Sequence, residues 1–144
     1  RKGMSWDKLL ANMRLLQKEC PHIQFEIAPT ISILNLNTFG KIHQFFVENG
    51  LIKIDSIYLN LLDRPRNYNI QILPVREKEM GKSELYRNIE WLQSNDAEQK
   101  TIDEYRSIIE YLEMESNPDE FVLFHDYNTQ LDQIREENYS DFHE

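Results

Sequence analysis

Small polar side chains gather at the end of a predicted strand, which is where parallel sheets commonly contact small molecules. Residues 23–34 alternate between apolar and polar positions, and the polar set includes Thr30 and Ser32, with Asn35 just beyond. Alternation with a period of two places the two sets on opposite faces of a sheet. Hydroxyl groups at the carboxyl end of a parallel strand can contact a ligand. Thr30, Ser32 and Asn35 are therefore candidate ligand-binding residues, and hydrogen bonds to neighbouring backbone explain them equally well.

The elements around these residues form a predicted βαβ unit. A helix over 37–49 follows the first strand, and Asn49-Gly50 is a typical left-handed stop. A second strand over 52–62 is nearly all apolar, as is typical of parallel strands covered on both faces. A strand, a helix and a strand joined in this way predict two adjacent parallel strands. The helix residues expected to pack on the sheet are Phe39, Ile42 and Phe46.

Other local patterns predict elements on either side of this unit. Ser5 is a suitable N-cap for a first helix, with Asp7 in its first turn, and Pro21 ends the run. The apolar stripe expected to be core is Trp6, Leu9, Leu10, Met13 and Leu16. Pro29 predicts a bulge or an unpaired position in the first strand. Residues 70–73 predict a short extra strand before Pro74.

After Pro74 the pattern becomes helical, with three predicted helices over roughly 75–94, 97–115 and 118–137. The third opens with Asn117-Pro118, an N-cap followed by proline at the first helical position. The core positions expected in the second are Ile102, Tyr105, Ile108, Ile109 and Leu112. Those expected in the third are Phe121, Phe124, Leu131 and Ile134.

Together these elements predict an α/β protein with two parts. Residues 1–74 would be an incomplete parallel β/α barrel fragment built on the βαβ unit, and residues 75–144 a mainly helical extension packed on it. A βαβ unit alone leaves two sheet edges open, and sheet edges are normally paired or covered. We therefore expect further strands upstream of Arg1 and interpret the chain as a piece of a longer protein.

Length and composition exclude several classes of protein. The chain has 144 residues, of which 40% are hydrophobic and 11% aromatic, which indicates one globular domain. No apolar run is long enough for a membrane span, and no signal peptide is recognisable. The single cysteine, Cys20, excludes a disulfide framework and favours a reducing, cytoplasmic location.

Charge is unevenly distributed between the two halves of the chain. Residues 1–72 carry a net charge of +3, whereas residues 73–144 carry −12. An acidic helical half repels phosphate backbones, so we expect no nucleic-acid binding there. A solvated outer face is the simpler explanation of the acidic excess, and an acidic docking surface is the alternative.

The common catalytic and nucleotide-binding motifs are absent from the sequence. There is no glycine-rich phosphate loop and no nucleophile elbow. Cys20 has only His22 as a nearby base, with no orienting third group. The four histidines are too scattered for a local metal site. No catalytic residue and no metal ligand is therefore predicted in this chain.

Five segments of the chain form a recognisable pattern through their order. The first is the Arg1-Lys2-Gly3-Met4-Ser5-Trp6 run before a helix that contains Asn12-Met13-Arg14-Leu15-Leu16. The others are Thr30-Ile31-Ser32-Ile33-Leu34-Asn35, Leu59-Asn60-Leu61-Leu62 with Pro65, Tyr68 with Ile70 and Leu73-Pro74, and the tail from Tyr127 to Arg135. In this order they resemble the C-terminal half of radical S-adenosylmethionine (SAM) enzymes with a short twitch-type extension. The resemblance covers nearly the whole chain, and its specificity comes from the order of the segments.

The resemblance implies a partial (β/α)6 barrel to which this chain supplies the fourth helix, the fifth strand and helix, and the sixth strand. It implies that Ser32 and Asn35 approach the polar groups of SAM and that Leu59 and Leu61 approach its adenine. Thr30 joins these residues as a cofactor-binding candidate because of its place on the polar face of the strand. The family's C-x3-C-x2-C loop, which holds a 4Fe–4S cluster, is absent here, and a single cysteine cannot replace it. We therefore expect SAM and the cluster in the parent protein and neither bound to this fragment.

The predicted function is thus part of the cofactor and substrate wall of a radical SAM enzyme, inactive without the upstream half. The alternative is an acidic helical protein–protein interaction module in which the βαβ unit is purely structural. The exposed sheet edge predicts self-association of the fragment. The substrate is not predicted by the sequence.

Overall fold

The computed structural model describes residues 5–115 and 119–136, and this part of the chain is mainly helical with one small parallel sheet. The helices are α1 (Trp6–Glu19), α2 (Phe39–Glu48), α3 (Val75–Ser94), α4 (Gln99–Glu113) and α5 (Asp119–Arg135). The strands are β1 (Thr30–Ile31) and β2 (Asn60–Leu61), and two single 3-10 turns lie at Arg66–Tyr68 and Ile70–Ile72.

The predicted parallel pairing is confirmed. Thr30 lies opposite Asn60 and Ile31 opposite Leu61, with α2 in the connection between the strands. A further parallel bridge joins Ile27 to Ile57. The sequence therefore predicted the order and direction of these elements, whereas the barrel of which they would be a part is a separate proposal.

Both strands are much shorter than the predicted 23–34 and 52–62. After Ile31 the chain turns instead of continuing to Leu34, because the Ser32 N–H and the Asn35 side chain hydrogen-bond to each other. In the second segment, Leu51 and Ile52 are buried in an apolar cluster with Phe46 of α2, not in the sheet. An apolar run is compatible with either kind of burial, which is why strand length was overestimated.

The extra strand predicted at residues 70–73 is wrong. Ile70–Ile72 is a 3-10 turn in which the side-chain oxygen of Asn69 accepts a hydrogen bond of 2.8 Å from the N–H of Gln71. Ile70 and Ile72 are both buried, so the alternation that suggested a strand arises from a tight turn packed on the core.

The main core lies between the sheet, α2, α3 and α4. The five core positions predicted for the second late helix, here α4, are all buried, and this prediction is confirmed. Leu85, Ile89 and Leu92 of α3 pack in the same cluster, together with Ile31 of β1 and Phe39 of α2. Helices α3 and α4 therefore pack directly against the sheet.

The capping prediction for α1 is confirmed, but the burial prediction is wrong. The Ser5 hydroxyl accepts a hydrogen bond from the N–H of Lys8, while none of the α1 residues is fully buried and Trp6 is 43% exposed. Leu10 and Met13 pack on the smaller cluster around Phe46, so α1 contacts its neighbours through one narrow edge. Gly50 has the predicted left-handed conformation, with φ of 65°.

Two further burial predictions are wrong, at Ile42 of α2 and Ile134 of α5. Ile42 is 43% exposed and Ile134 is 79% exposed, whereas Phe39, Phe46 and Phe124 are buried as predicted. The predicted cap at Asn117-Pro118 lies outside the described residues. Each helix in the described ranges is too short or too polar to cross a lipid bilayer.

Candidate functional site

Ser32 and Asn35 form a compact hydrogen-bonded turn at the carboxyl end of β1. The Asn35 Oδ1 atom accepts hydrogen bonds from the N–H of Ser32 at 2.8 Å and from its hydroxyl at 3.4 Å. The Asn35 Nδ2 atom donates to the carbonyl of Thr30 at 3.0 Å, and the Ser32 hydroxyl accepts from the N–H of Leu34. These bonds satisfy backbone groups that the early end of the strand leaves without ladder partners.

The turn has a consequence for the three predicted ligand contacts. Ser32 is buried and Asn35 half-buried, and both side chains are engaged in the turn. Thr30 is exposed, and its hydroxyl makes no hydrogen bond to any residue in the described ranges. Of the three residues, Thr30 has the side chain most accessible to a ligand, while Ser32 and Asn35 shape the backbone beside it.

The sheet brings one further polar residue beside Thr30. Asn60 is the direct partner of Thr30 in the ladder, and paired residues point to the same face. Ala28, Thr30 and Tyr58 are exposed on this face, so it is open to solvent there. Sequence reasoning missed Asn60, because its apolar neighbours made the segment read as a uniformly buried strand. The strand register, which places Asn60 opposite Thr30, is the information that would have identified Asn60.

Leu59 and Leu61 lie on the opposite face of the sheet. Leu61 pairs with Ile31, which is completely buried, and both leucines pack against the main core. Their side chains therefore stabilise the sheet against the helices. A ligand on the open face could reach these two residues only through their backbone.

The hydrogen-bond pattern shows that β1 has a free edge. The N–H and C=O of Ile27, and the C=O groups of Pro29 and Ile31, bond to the β2 segment. Backbone groups alternate in direction along a strand, so those of Glu26 and Ala28 point the other way. Within residues 5–115 and 119–136, no hydrogen bond is made by the backbone of Glu26 or Ala28. The backbone groups of Pro29 face β2, so the N–H that proline lacks would have pointed toward β2. The proline therefore removes no hydrogen-bonding group from the free edge.

The outer edge of β2, in contrast, is covered by α4. The outward-pointing N–H of Leu59 donates a hydrogen bond of 3.4 Å to the Glu104 carboxylate. Because Glu104 belongs to a helix packed on the core, another strand could not pair at this point without displacing α4. The β2 edge is therefore blocked at Leu59, whereas the β1 edge is free at Glu26 and Ala28.

A buried imidazole–phenol pair lies behind the sheet, between α2 and α4. The Nδ1 atom of His43 lies 2.9 Å from the Tyr105 hydroxyl, and its Nε2 atom lies 2.9 Å from the carbonyl of Ile54. A carbonyl can only accept, so Nε2 carries the proton and Nδ1 accepts from Tyr105. Burial lowers the pKa of His43 from 6.5 to about 4, against the opposing effects of Ile54 and Asp55.

Burial also raises the pKa of Tyr105 above its usual value. Both side chains are inaccessible to solvent, and Trp91 packs edge-on against the imidazole at 5.5 Å between ring centroids. A proton-transfer group must be able to reach its substrate. We therefore interpret this pair as a structural cross-link between α2, α4 and the loop before β2.

The described residues do not fit an iron–sulfur cluster. A 4Fe–4S cluster needs several thiolates, and Cys20 is the only cysteine of the chain. No group of three His, Cys, Asp or Glu side chains in the described ranges is arranged to hold a metal ion. The open face is chemically compatible with the polar groups of SAM, since Thr30 offers a hydroxyl and Asn60 an amide side by side.

The chain was compared with protein-family models, with curated proteins and with solved structures. None of the three comparisons found a match.

Proposed function

We propose that this chain forms part of a radical SAM enzyme, to which it contributes two strands and their helices as one wall of a partial barrel. The observation that carries the proposal is the asymmetry of the sheet. The edge of β1 has unpaired backbone groups at Glu26 and Ala28, whereas the edge of β2 is blocked at Leu59 by Glu104. Such a sheet can be extended by further strands in one direction only, beside β1.

The placement of α1 supports an extension in that direction. Trp6 of α1 packs on Phe45 and Phe46 of α2, with ring centroids 5.8 and 5.6 Å apart, so the two helices are neighbours. β1 and β2, which follow these helices, are also neighbours and parallel. A parallel strand that precedes α1 would then pair with the free edge of β1, as in successive β/α units.

In this arrangement the open face of the sheet becomes the inner wall of the barrel. Thr30 and Asn60 would contact the polar groups of SAM, while the turn made by Ser32 and Asn35 holds the end of β1 in place. Leu59 and Leu61 would contribute only backbone to the adenine site. Ligands of β/α barrels bind at the carboxyl ends of the strands, which is where these residues lie.

The iron–sulfur cluster must be held by other residues of the complete protein, because the described residues do not fit it. In this proposal the 144-residue chain is catalytically inactive by itself, and the substrate of the complete enzyme is left open. The free edge of β1 would then be available for self-association of the separated chain.

The test is anaerobic reconstitution of the complete gene product with iron and sulfide, followed by reduction and measurement of 5′-deoxyadenosine. We expect an upstream C-x3-C-x2-C sequence, SAM-dependent formation of 5′-deoxyadenosine, and calorimetric binding of SAM. A gene product without the three cysteines, or a reconstituted protein that forms no 5′-deoxyadenosine, would contradict the proposal.

Variants on the open face test the residue roles. Thr30→Val and Asn60→Ala should each weaken SAM binding about tenfold with little effect on thermal stability, because each removes one hydrogen bond to the ligand. Thr129→Val, at an exposed threonine on α5, is the matched control and should leave SAM binding unchanged. Asn35→Ala should instead lower stability, because it breaks the turn. Equal SAM affinity in wild type, Thr30→Val and Asn60→Ala would remove both residues from the site.

A second candidate function is an acidic protein–protein interaction module. The observation that favours it is the outer face of α5, which exposes several apolar side chains in the acidic half of the chain. The two functions are compatible, since α5 lies outside the sheet.

A further inference from the structure

A cavity of about 420 Å³ lies where the start of α3 meets the end of α4, and we call it the α3–α4 cavity. One wall comes from the first two turns of α3 and the residues just before them, and the other from the end of α4 and the residues that follow. Its apolar lining residues are Leu73, Pro74, Val75, Leu112 and Met114. A cavity of this size with apolar walls can hold a small apolar molecule.

Both walls of the α3–α4 cavity are anchored to the fold. Leu112 is fully buried in the main core, and Leu73 of the opposite wall packs against the same cluster. The Nε2 atom of Gln71 donates to the sulfur of Met114 at 3.3 Å and to the carbonyl of Tyr111 at 3.4 Å. These contacts hold the residues after α4 beside the start of α3, so the cavity is a formed part of the structure.

Two lysines of α3 line the cavity, and they differ in their partners. The Nζ atom of Lys82 forms ion pairs with Glu79 at 2.6 Å and with Glu113 at 3.2 Å. Lys78 forms no ion pair within residues 5–115 and 119–136, and its Nζ atom donates to the carbonyl of Met114 at 3.5 Å. A neutral amine can donate to a carbonyl as an ammonium group does, so this contact does not require a charged Lys78.

The surroundings of Lys78 favour the neutral amine over the ammonium ion. Its side chain is half-buried, and burial, followed by repulsion from Lys82, lowers the pKa of Lys78 below its ordinary value. The carboxylates that line the cavity are Glu79 and Glu113, which pair with Lys82, and the exposed Glu115. A lysine that is shielded from water and lies beside a second cation is an activated nucleophile.

The charge of the lining selects against an anionic ligand. The cavity is lined by two lysines and three glutamates, a net charge of −1. This excess of negative charge repels a carboxylate or a phosphate, whereas a neutral molecule is not repelled. A neutral group that reacts with an uncharged amine is the carbonyl of an aldehyde or a ketone.

We propose that the α3–α4 cavity binds a small apolar aldehyde or ketone and that Lys78 forms a Schiff base with it. The amine nitrogen attacks the carbonyl carbon, and the resulting carbinolamine loses water to leave a C=N bond. Both protons of the neutral amine leave with the carbonyl oxygen as that water, so the step needs no oxidant or reductant. The apolar part of the ligand would pack on Leu112 and Met114. The proposal is independent of the proposed radical SAM role, because this cavity is not on the open face of the sheet.

The test uses hydrocinnamaldehyde as the neutral apolar probe and succinic semialdehyde as the anionic one. Each is incubated at neutral pH with the complete 144-residue chain and cyanoborohydride, which reduces the imine to a stable amine, and peptide mass spectrometry locates the adducts. We expect hydrocinnamaldehyde to modify Lys78 at least about fivefold faster than the exposed Lys100 of α4. Succinic semialdehyde should show no preference for Lys78. Equal modification of the two lysines by hydrocinnamaldehyde, or the same preference with both probes, would overturn the proposal.

Hydrocinnamamide distinguishes a binding cavity from an amine that is merely reactive. This amide has the same apolar part as hydrocinnamaldehyde but does not form an imine with lysine. We expect it to slow the modification of Lys78 in a concentration-dependent way and to leave the modification of Lys100 unchanged. An equal effect on both lysines, or no effect on either, would overturn the proposed cavity.

Matched variants test the role of each lysine. Lys78→Arg keeps the positive charge but cannot form the imine, so the cavity adduct should be lost. Lys82→Gln should slow the modification of Lys78 about threefold, because it removes the neighbouring cation and releases Glu79 and Glu113 to favour the protonated amine. Lys100→Arg is the control and should leave the rate at Lys78 unchanged, and circular dichroism should show equal helix content in all three variants. Unchanged or faster modification of Lys78 in Lys82→Gln would overturn the proposed activation of this amine.

Discussion

The side chain of Asp55, in the loop before β2, caps the amino-terminal end of α4 by accepting a hydrogen bond of 2.7 Å from the hydroxyl of Thr101. The same Asp55 oxygen accepts a second bond, of 2.9 Å, from the N–H of Glu98. Glu98 precedes the helix and makes no side-chain cap of its own. One of the N–H groups left unpaired at the start of α4 is therefore satisfied by a residue that is 43 positions away from Glu98 in sequence.

Asp55→Ala should lower the free energy of unfolding by about 1–2 kcal/mol, because it removes this cap. Urea denaturation followed by circular dichroism measures the change. Asp63→Ala, at an exposed aspartate, is the control and should change stability by less than about 0.5 kcal/mol. Similar losses in the two variants would contradict a specific capping role.

The buried His43 predicts a pH dependence of stability. Its pKa of about 4 in the folded chain is below its ordinary value of 6.5. Between these values the unfolded chain binds the proton and the folded chain does not, so stability is complete above pH 6.5 and falls as the pH drops to 4. The loss should be on the order of 3 kcal/mol. Urea denaturation across this range measures it, and NMR titration of the His43 ring identifies its source. Titration of His43 near pH 6.5 would contradict the prediction.

Tyr105→Phe should destabilise the fold by about 1–3 kcal/mol, because it leaves the His43 Nδ1 atom buried without a donor. Thermal unfolding measures the effect. Tyr86→Phe is the matched control. Because Tyr86 is 53% exposed, removing its hydroxyl should leave the melting temperature almost unchanged. An unchanged melting temperature in Tyr105→Phe would show that the hydroxyl contributes nothing to the core.

Gly40→Ala tests the close packing of α2 on α3. A Cβ atom at this position would overlap the side chain of Asn88, which is held by hydrogen bonds from its Nδ2 atom to the Glu84 carbonyl and from Gln44 to its Oδ1 atom. Alanine normally stabilises a helix interior by about 1 kcal/mol relative to glycine. Here we expect a net loss of about 1–3 kcal/mol, because the two helices must separate.

The double variant Gly40→Ala/Asn88→Ala is the control for this steric explanation. Chemical denaturation should show that Gly40→Ala costs less when Asn88 has been shortened than in the wild type. An equal cost in both backgrounds would place the strain elsewhere.

The free edge of β1 predicts self-association of the 144-residue chain at high concentration. Light scattering across a concentration series measures it. Ala28→Lys should reduce association, because it adds a charge beside the unpaired backbone groups, whereas Ser94→Lys adds the same charge at an exposed helical position. A strict monomer at every concentration would show that this edge needs no partner.

The sequence predicted those features that depend on local patterns. The Ser5 cap, the stop at Gly50 and the core face of α4 follow from residue types and helical spacing alone. The order of the elements was also sufficient to predict the parallel pairing of β1 and β2. The signals for the cap, the stop and the helix core face lie within a few residues of the feature that they predict.

The wrong predictions concern features that depend on distant partners. Ile134 has the spacing of a core residue, but the core contacts the other side of α5. Asn60 was missed because its position beside Thr30 depends on strand register, which no local pattern shows. Ser32 and Asn35 were predicted as ligand contacts, with hydrogen bonds to neighbouring backbone as the alternative, and their turn makes such bonds. Whether they also contact a ligand stays a prediction.

The contact between Glu104 and Leu59 has a consequence for how such a protein could change in evolution. If each helix–strand pair is a repeating unit, α4 acts as an end cap comparable with the terminal repeats of solenoid proteins. Units could be gained or lost beside β1 without disturbing the end cap. An insertion after β2 would have to displace α4 and expose its buried face. Length variation in proteins of this architecture should therefore be concentrated before α1.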